Sequence, residues 1–172
     1  LILSNVPDAY ALQRGKEHGL ESVFLDPKSF SNRDDYEKRM IELLRSKSID
    51  LICLAGFMRI LGKKFIEAFS GKIINIHPSL LPAFPGLNVQ EKALEHGAKF
   101  SGCTVHFVNE EVDGGAIILQ AIIPILDEDD VQSLSDRILE QEHIIYPEAI
   151  RLIIEDNLEF SGRRVIRKIR GN

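Results

Sequence analysis

The sequence predicts an α/β fold: an open, mostly parallel twisted sheet with an antiparallel excursion toward its C-terminal end. Short apolar runs typical of buried strands alternate with segments whose apolar residues recur at helical spacing. After residue 100 two strand-like runs follow each other directly, which indicates antiparallel pairing. Repeated strand-helix units favour a right-handed parallel sheet with helices on both faces.

The first half of the chain alternates strand and helix. Residues 1–4 are a strand remnant, residues 8–18 a helix that Gly19 ends, and residues 22–25 a second strand. An amphipathic helix follows at residues 34–47. The later elements of this half, each with its own apolar pattern, are a strand at 50–55, a helix at 63–69, a strand at 72–76 and a helix at 89–96.

The second half changes its pattern. Residues 100–108 and 116–125 are two strands joined by a polar loop. A long helix covers residues 130–156, and a terminal strand pair is expected around Phe160 and Val165.

Length and charge limit the function classes. One domain over residues 1–172 is expected, since neither a linker nor a repeat divides the chain. A net charge of -5 and a pI near 5.6 disfavour duplex nucleic acid as a partner. The basic residues cluster only near the C-terminus, at Arg163, Arg164, Arg167, Lys168 and Arg170. These basic residues are expected either to be solvated in a terminal hairpin or to make a local contact.

The two cysteines, Cys53 and Cys103, lie in apolar strand-like runs without a paired-cysteine motif. They are expected to be reduced core thiols and not disulfide or metal ligands, and no signal peptide precedes them. No apolar stretch approaches membrane-spanning length. The sequence therefore predicts a cytoplasmic protein that binds neither metal nor membrane.

Candidate chemistry appears at the end of the strand over residues 72–76. Pro78 bars this strand from continuing regularly, so Asn75 and His77 point to one face at its C-terminal end. In open α/β sheets ligands bind at that edge. Chemistry at an acyl group can use an amide and an imidazole, while the alternative is a polar strand end with a satisfied histidine.

Two further segments are expected at the same edge. Residues 55–61 follow the preceding strand, and the Asp-Gly-Gly triplet at 113–115 lies in a later loop. The alternatives are that apolar residues of 55–61 belong to the core and that the triplet is only a turn. A nucleophilic Ser79 beside His77 is not favoured, because no Gly-x-Ser-x-Gly elbow exposes its hydroxyl.

At these residues the sequence resembles the phosphoribosylglycinamide formyltransferases, folate-dependent enzymes of purine synthesis. The resemblance covers essentially the whole chain, in blocks at residues 55–61, 75–82, 102–108 and 141–143. The block at 75–82 also occurs in other formyltransferases and in formyltetrahydrofolate hydrolase. The segments that flank it favour a resemblance to the phosphoribosylglycinamide formyltransferases over these other enzymes. The resemblance implies a Rossmann-like open sheet, the formyltransferase fold.

The resemblance also implies a reaction between two small-molecule substrates. The amino group of glycinamide ribonucleotide would attack the formyl group of 10-formyltetrahydrofolate, the co-substrate, without a metal. Asn75 would donate to the resulting oxyanion, and His77 would manage the protons. Asp113 would lie close to His77 and favour its charged form.

Binding residues follow from the same resemblance. The folate cleft would be formed by Arg33, Met58, Arg59, Ile60, Leu61, Asn75, Asn109 and Asp113. Glu142 would contact the ribose hydroxyls of the acceptor. For Arg33 and Glu142 taken alone, a solvated surface charge is the alternative.

The chain opens inside what the family would have as its second strand. The missing strand, Gly-Ser-rich phosphate loop and helix would amount to on the order of 30 residues. They would supply a central strand and an anion site at a helix N-terminus. Either the sequence continues upstream, or the sheet and the substrate site are damaged.

Three other interpretations stay open. A methionyl-tRNA formyltransferase would need a further C-terminal RNA-binding domain, and a formyltetrahydrofolate hydrolase would usually carry an extra N-terminal domain. A non-catalytic folate-binding or dinucleotide-binding module is the third. No Gly-x-Gly-x-x-Gly follows a strand, and the joint presence of Asn75, His77 and Asp113 disfavours an inert module.

Overall fold

The computed structural model describes residues 1–168, so Arg170 of the basic cluster lies outside the described residues. The chain divides into two compact units. The first comprises Leu1–Asp50 and Leu61–Ala68, and the second comprises Leu51–Ile60 and the chain from Phe69 onward.

The first unit combines a parallel strand pair with helices. Strand β1 (Ile2–Ser4) pairs in parallel with β2 (Ser22–Phe24). The helical elements of this unit are α1 (Tyr10–Glu17), a 3-10 turn at Pro27–Ser29, α2 (Arg33–Ser46) and α3 (Lys63–Ala68). The strands and α-helices lie close to their positions predicted from the sequence, with the ends shifted by one or two residues, whereas the 3-10 turn was not predicted.

Helix α2 shows why the sequence specifies these elements. The Asn32 side chain accepts a hydrogen bond from the backbone N–H of Asp35 at 2.9 Å, which caps the first turn. Tyr36, Met40 and Leu44 recur every four residues and are buried. The amphipathic pattern therefore identifies the face of α2 that packs inward.

The second unit is built on a four-stranded sheet. Its strands are β3 (Ile52–Leu54), β4 (Ile73–His77), β5 (Phe100–Phe107) and β6 (Ile117–Pro124), hydrogen-bonded in that order. β3 and β4 are parallel, whereas β5 runs antiparallel to both β4 and β6. The predicted α/β class and the antiparallel excursion are confirmed. The remaining elements are α4 (Val89–Glu95), α5 (Val131–Ile154), β7 (Leu158–Ser161) and β8 (Arg164–Arg167).

The core of the second unit lies between α5 and one face of this sheet. Val105 of β5 and Ile74 of β4 are fully buried there with Leu134 and Ile138 of α5. The hydroxyl of Tyr146 on α5 donates to the carbonyl of Leu54 at 2.7 Å, which ties the helix to β3. Burial raises the pKa of this phenol.

The two cysteines differ in their exposure. Cys103 on β5 is buried and free, as predicted, whereas the prediction of a core position is wrong for Cys53, which is free and exposed. Cys53 pairs in register with Ile74 of β4, which packs with Cys103 against α5, so both cysteines lie on the α5-packed face. Cys53 is exposed because β3 is an edge strand of the described sheet and has a neighbouring strand on one side only.

The terminal hairpin forms as predicted, with β7 and β8 antiparallel. Two basic side chains at its end contact carboxylates: Arg167 donates to Glu148 at 2.9 Å, and Lys168 donates to Asp156 at 2.5 Å. These cations therefore lie in a solvated, charge-paired setting. Among residues 1–168, the helices are all too short or too polar to cross a membrane.

A buried hydroxyl fixes the loop that follows β4. Thr104 Oγ1 donates to the carbonyl of Ser79 at 2.7 Å and accepts from the backbone N–H of Leu81 at 3.1 Å. Gln120 Nε2 donates to the same hydroxyl and to the Leu81 carbonyl, both at 3.0 Å. The conformation of this loop thus depends on β5 and β6.

We expect Thr104→Val to lower the free energy of unfolding by roughly 2–3 kcal/mol, because the substitution leaves the Leu81 N–H and the Ser79 carbonyl without this partner. Urea unfolding measures the loss. Thr104→Ser keeps the hydroxyl and should recover most of the stability. Equal stability of the Val and Ser variants would contradict the assigned role of the hydroxyl.

Candidate active site

The register between β4 and β5 brings polar side chains to one face of the sheet. Asn75 pairs with His106, and His77 pairs with Thr104. Residues alternate in direction along a strand, so Ile74 points to the opposite, α5-packed face. The predicted Asn75 and His77 therefore share a face, and they share it with His106.

Asp113 completes this cluster from the loop between β5 and β6. Its backbone is left-handed, with φ at 53°. The carboxylate Oδ2 accepts from the backbone N–H of Gly86 at 2.8 Å and lies 3.5 Å from Nδ1 of His77. The other oxygen, Oδ1, lies 3.7 Å from Nε2 of His106. One carboxylate thus meets both imidazoles, and its side chain is 12% exposed.

The loop that carries Asp113 is held from two sides. A Cβ built on Gly115 would lie 1.6 Å from the carbonyl oxygen of Phe107, so only glycine permits this close approach to β5. Arg163 of the terminal hairpin donates to the carbonyl of Gly114 at 2.8 Å, and the Asn109 amide donates to the same oxygen at 3.4 Å. The Asp-Gly-Gly triplet is a turn, and this turn also positions a carboxylate.

His77 sits between two acceptors. Its Nε2 lies 3.0 Å from the carbonyl oxygen of Phe84, and its Nδ1 faces the Asp113 carboxylate. A carbonyl and a carboxylate can only accept, so both ring nitrogens are matched when both carry hydrogen. The surroundings of His77 therefore suit the imidazolium.

His106 was assigned no role from the sequence. It is 2% exposed, and its Nδ1 lies 2.8 Å from the carbonyl oxygen of Phe107. Its Nε2 lies 3.4 Å from Nδ2 of Asn75. Burial lowers the pKa of His106, the Phe107 carbonyl and the Asp113 charge oppose this shift, and the His77 charge adds to it. The signal in the sequence was the polar pair Thr104 and His106 at alternate positions in the apolar second half of a strand.

The Ser79 side chain is hydrogen-bonded to backbone carbonyls. Its hydroxyl donates to the carbonyls of Ala83 at 2.7 Å and Phe84 at 3.2 Å. This geometry agrees with the expectation that Ser79 is not a nucleophile.

The predicted folate residues fall into both units. Met58 is 76% exposed and Ile60 is exposed as well, so neither is a core residue, and Arg59 between them is also exposed. Leu61 is buried and belongs, with Arg33, to the first unit. Arg33 and Leu61 therefore belong to a different unit from the polar cluster.

Within the first unit, Arg33 is held by a buried carboxylate. Its Nε donates to Glu37 at 2.7 Å, and the backbone N–H of Gly62 donates to the same oxygen at 2.8 Å. Arg33 is therefore not an isolated surface charge.

Glu142 lies apart from the polar cluster. It is half-buried on α5, and burial raises its pKa. Burial, with a further contribution from the Glu142 charge, raises the pKa of Cys103 to about 12. Cys103 points to the α5 side of β5, whereas His106 points to the other side.

The cluster of Asn75, His77, His106 and Asp113 has the parts that acyl chemistry requires. An amide can donate to an oxygen that becomes negative, and an imidazolium beside a carboxylate can stabilise charge and exchange a proton.

Similarity to known proteins identifies the family to which this chain belongs. Residues 1–150 match the family described as formyl transferase. A phosphoribosylglycinamide formyltransferase of Haemophilus influenzae is 46% identical over 173 residues, which covers 97% of this chain and 82% of that protein. A trifunctional purine biosynthetic protein adenosine-3 of Drosophila melanogaster is 49% identical over 90% of this chain, but the chain spans only 11% of that protein.

A solved structure supports the same assignment. The crystal structure of glycinamide ribonucleotide transformylase 1 from Symbiobacterium toebii superposes with a TM-score of 0.94 at 50% identity, covering 96% of this chain and 78% of that chain. The fold predicted from the sequence is confirmed by this neighbour. The chain therefore belongs to the phosphoribosylglycinamide formyltransferases of the formyl transferase family.

Proposed function

We propose that the protein transfers the formyl group of 10-formyltetrahydrofolate to the amino group of glycinamide ribonucleotide. The observation that carries the proposal is the convergence of Asn75, His77 and Asp113 on one face of the sheet in a member of this family. Of the described side chains, these three match the chemistry that formyl transfer requires.

The reaction uses the three groups in turn. The acceptor nitrogen bonds to the formyl carbon, and the carbonyl electrons move onto oxygen. The Asn75 amide donates to this oxyanion, and the His77 imidazolium adds electrostatic stabilisation. Collapse breaks the bond from the formyl carbon to N10, and the proton lost by the acceptor nitrogen reaches N10 through the His77–Asp113 pair.

The exposed loop at residues 55–61 supports the placement of the folate beside this cluster. Met58, Arg59 and Ile60 leave their side chains in solvent, so a flat pteridine can contact them without disturbing the core. Asn109 shapes the neighbouring loop, since its Oδ1 accepts from the backbone N–H of Glu111 at 3.0 Å. Contacts of Arg33 and Leu61 with folate, and of Glu142 with the ribose, stay predictions from the resemblance.

We expect Asn75→Ala to lower kcat about 10²-fold or more, because it removes the donor to the oxyanion. Asp113→Asn should lower kcat by roughly 10²- to 10⁴-fold while leaving folate affinity within a few-fold. Asparagine can still accept from the Gly86 N–H, so this change removes the charge and keeps the loop contact. Steady-state kinetics and folate titration measure both effects.

Asp127→Asn is the matched control, because the Asp127 side chain is 96% exposed and undergoes the same chemical change. It should retain wild-type turnover. Wild-type turnover of Asn75→Ala or Asp113→Asn would contradict the assigned roles.

The acceptor can be tested directly. With 10-formyltetrahydrofolate as donor, we expect formyl transfer to glycinamide ribonucleotide and none to aminoacylated tRNA, in keeping with the acidic net charge of -5. Absorbance of deformylated folate follows the reaction. Formate release at the same rate with and without the ribonucleotide would instead indicate a hydrolase.

A further inference from the structure

We infer that His106 is a positioning residue for the reaction: it stays neutral and uses its bare Nε2 to fix the orientation of the Asn75 amide. The kinetic part of this inference rests on the proposed formyl transfer. The structural part concerns only the hydrogen-bond pattern inside the second unit.

The contacts of His106 select one tautomer. Nδ1 lies 2.8 Å from the carbonyl oxygen of Phe107, and a carbonyl can only accept, so Nδ1 carries a hydrogen. In a neutral imidazole the other nitrogen then has a bare lone pair. Nε2 of His106 is that nitrogen, and it lies 3.4 Å from Nδ2 of Asn75.

The charges of the cluster favour this neutral form. His106 faces two other titratable groups, His77 and Asp113. Asp113 carries at most one negative charge, and its shorter contact, 3.5 Å against 3.7 Å, is with His77. Two imidazolium rings beside one carboxylate would leave an unbalanced positive charge in a buried site, which is unfavourable. Burial alone already lowers the pKa of His106.

A bare Nε2 dictates how the Asn75 amide is turned. With Nδ2 toward His106, one amide N–H is donated to the ring and the other can be presented to substrate. The flipped amide would place Oδ1 against the lone pair of Nε2 and turn both N–H groups away. A proton on Nε2 would reverse this preference, because the ring would then donate to Asp113 or to Oδ1.

Two substitutions separate this role from simple packing. His106→Gln can keep an acceptor near the position of Nε2, whereas His106→Asn ends near the position of Nδ1 and withdraws that acceptor from Asn75. We expect His106→Asn to lower kcat about 10-fold or more with KM within a few-fold, and not beyond the loss seen for Asn75→Ala. His106→Gln should stay within about 3-fold of wild type. Circular dichroism and urea unfolding confirm that both variants fold.

A double-mutant cycle tests whether His106 acts through Asn75. In the Asn75→Ala background, His106→Asn should change kcat less than about 2-fold, since the amide that it orients is gone. Additive losses in the double variant, or equal losses for the Gln and Asn variants, would overturn the inference.

Nitrogen-15 spectra of histidine-labelled protein test the tautomer without any turnover. Long-range ¹H–¹⁵N correlations should show His106 neutral at pH 7 with hydrogen on Nδ1, and His106→Asn should shift the Asn75 side-chain amide signal. A cationic His106, or hydrogen on Nε2, would overturn the inference. This measurement decides the matter even if the acceptor proposed above is wrong.

Discussion

The antiparallel register between β4 and β5 is the constraint on which the site depends. It sets Asn75 opposite His106 and His77 opposite Thr104, so the three side chains proposed to act in the reaction and the hydroxyl that fixes the next loop share one face. A slip of β4 by one residue would move Asn75 and His77 to the α5-packed face and bring Ile74 out of the core. The burial of apolar residues on one face therefore specifies the polar geometry on the other.

The single carboxylate of the cluster then favours different protonation states for the two histidines. One carboxylate, Asp113, lies within 4 Å of both rings and can balance one proton. His77 lies between a carbonyl and that carboxylate, which suits a cation, while His106 meets an amide donor. Similar side chains can thus serve as a cation and as an acceptor because their neighbours differ.

Local patterns were enough for the secondary structure and for part of the site. Apolar periodicity placed the helices and strands to within one or two residues at most ends, as α2 and β5 show. Pro78 after a buried strand was enough to predict that Asn75 and His77 share one face. The predicted burial of Cys53 was wrong because an apolar run does not reveal that its strand, β3, lies at the edge of the described sheet.

The rest of the site depends on contacts between residues far apart in the chain, which local patterns do not contain. The left-handed backbone of Asp113, its bond to the Gly86 N–H and the support of Gly114 by Arg163 join three separate loops or hairpins. The sequence predicted no role for His106, because the role proposed for it depends on a strand register and not on its neighbours in sequence. A buried polar group must be hydrogen-bonded to be tolerated, so a histidine inside an apolar strand already implies partners on a facing element. The identity of those partners, a backbone carbonyl and a strand-end amide, is what gives the histidine a role in chemistry.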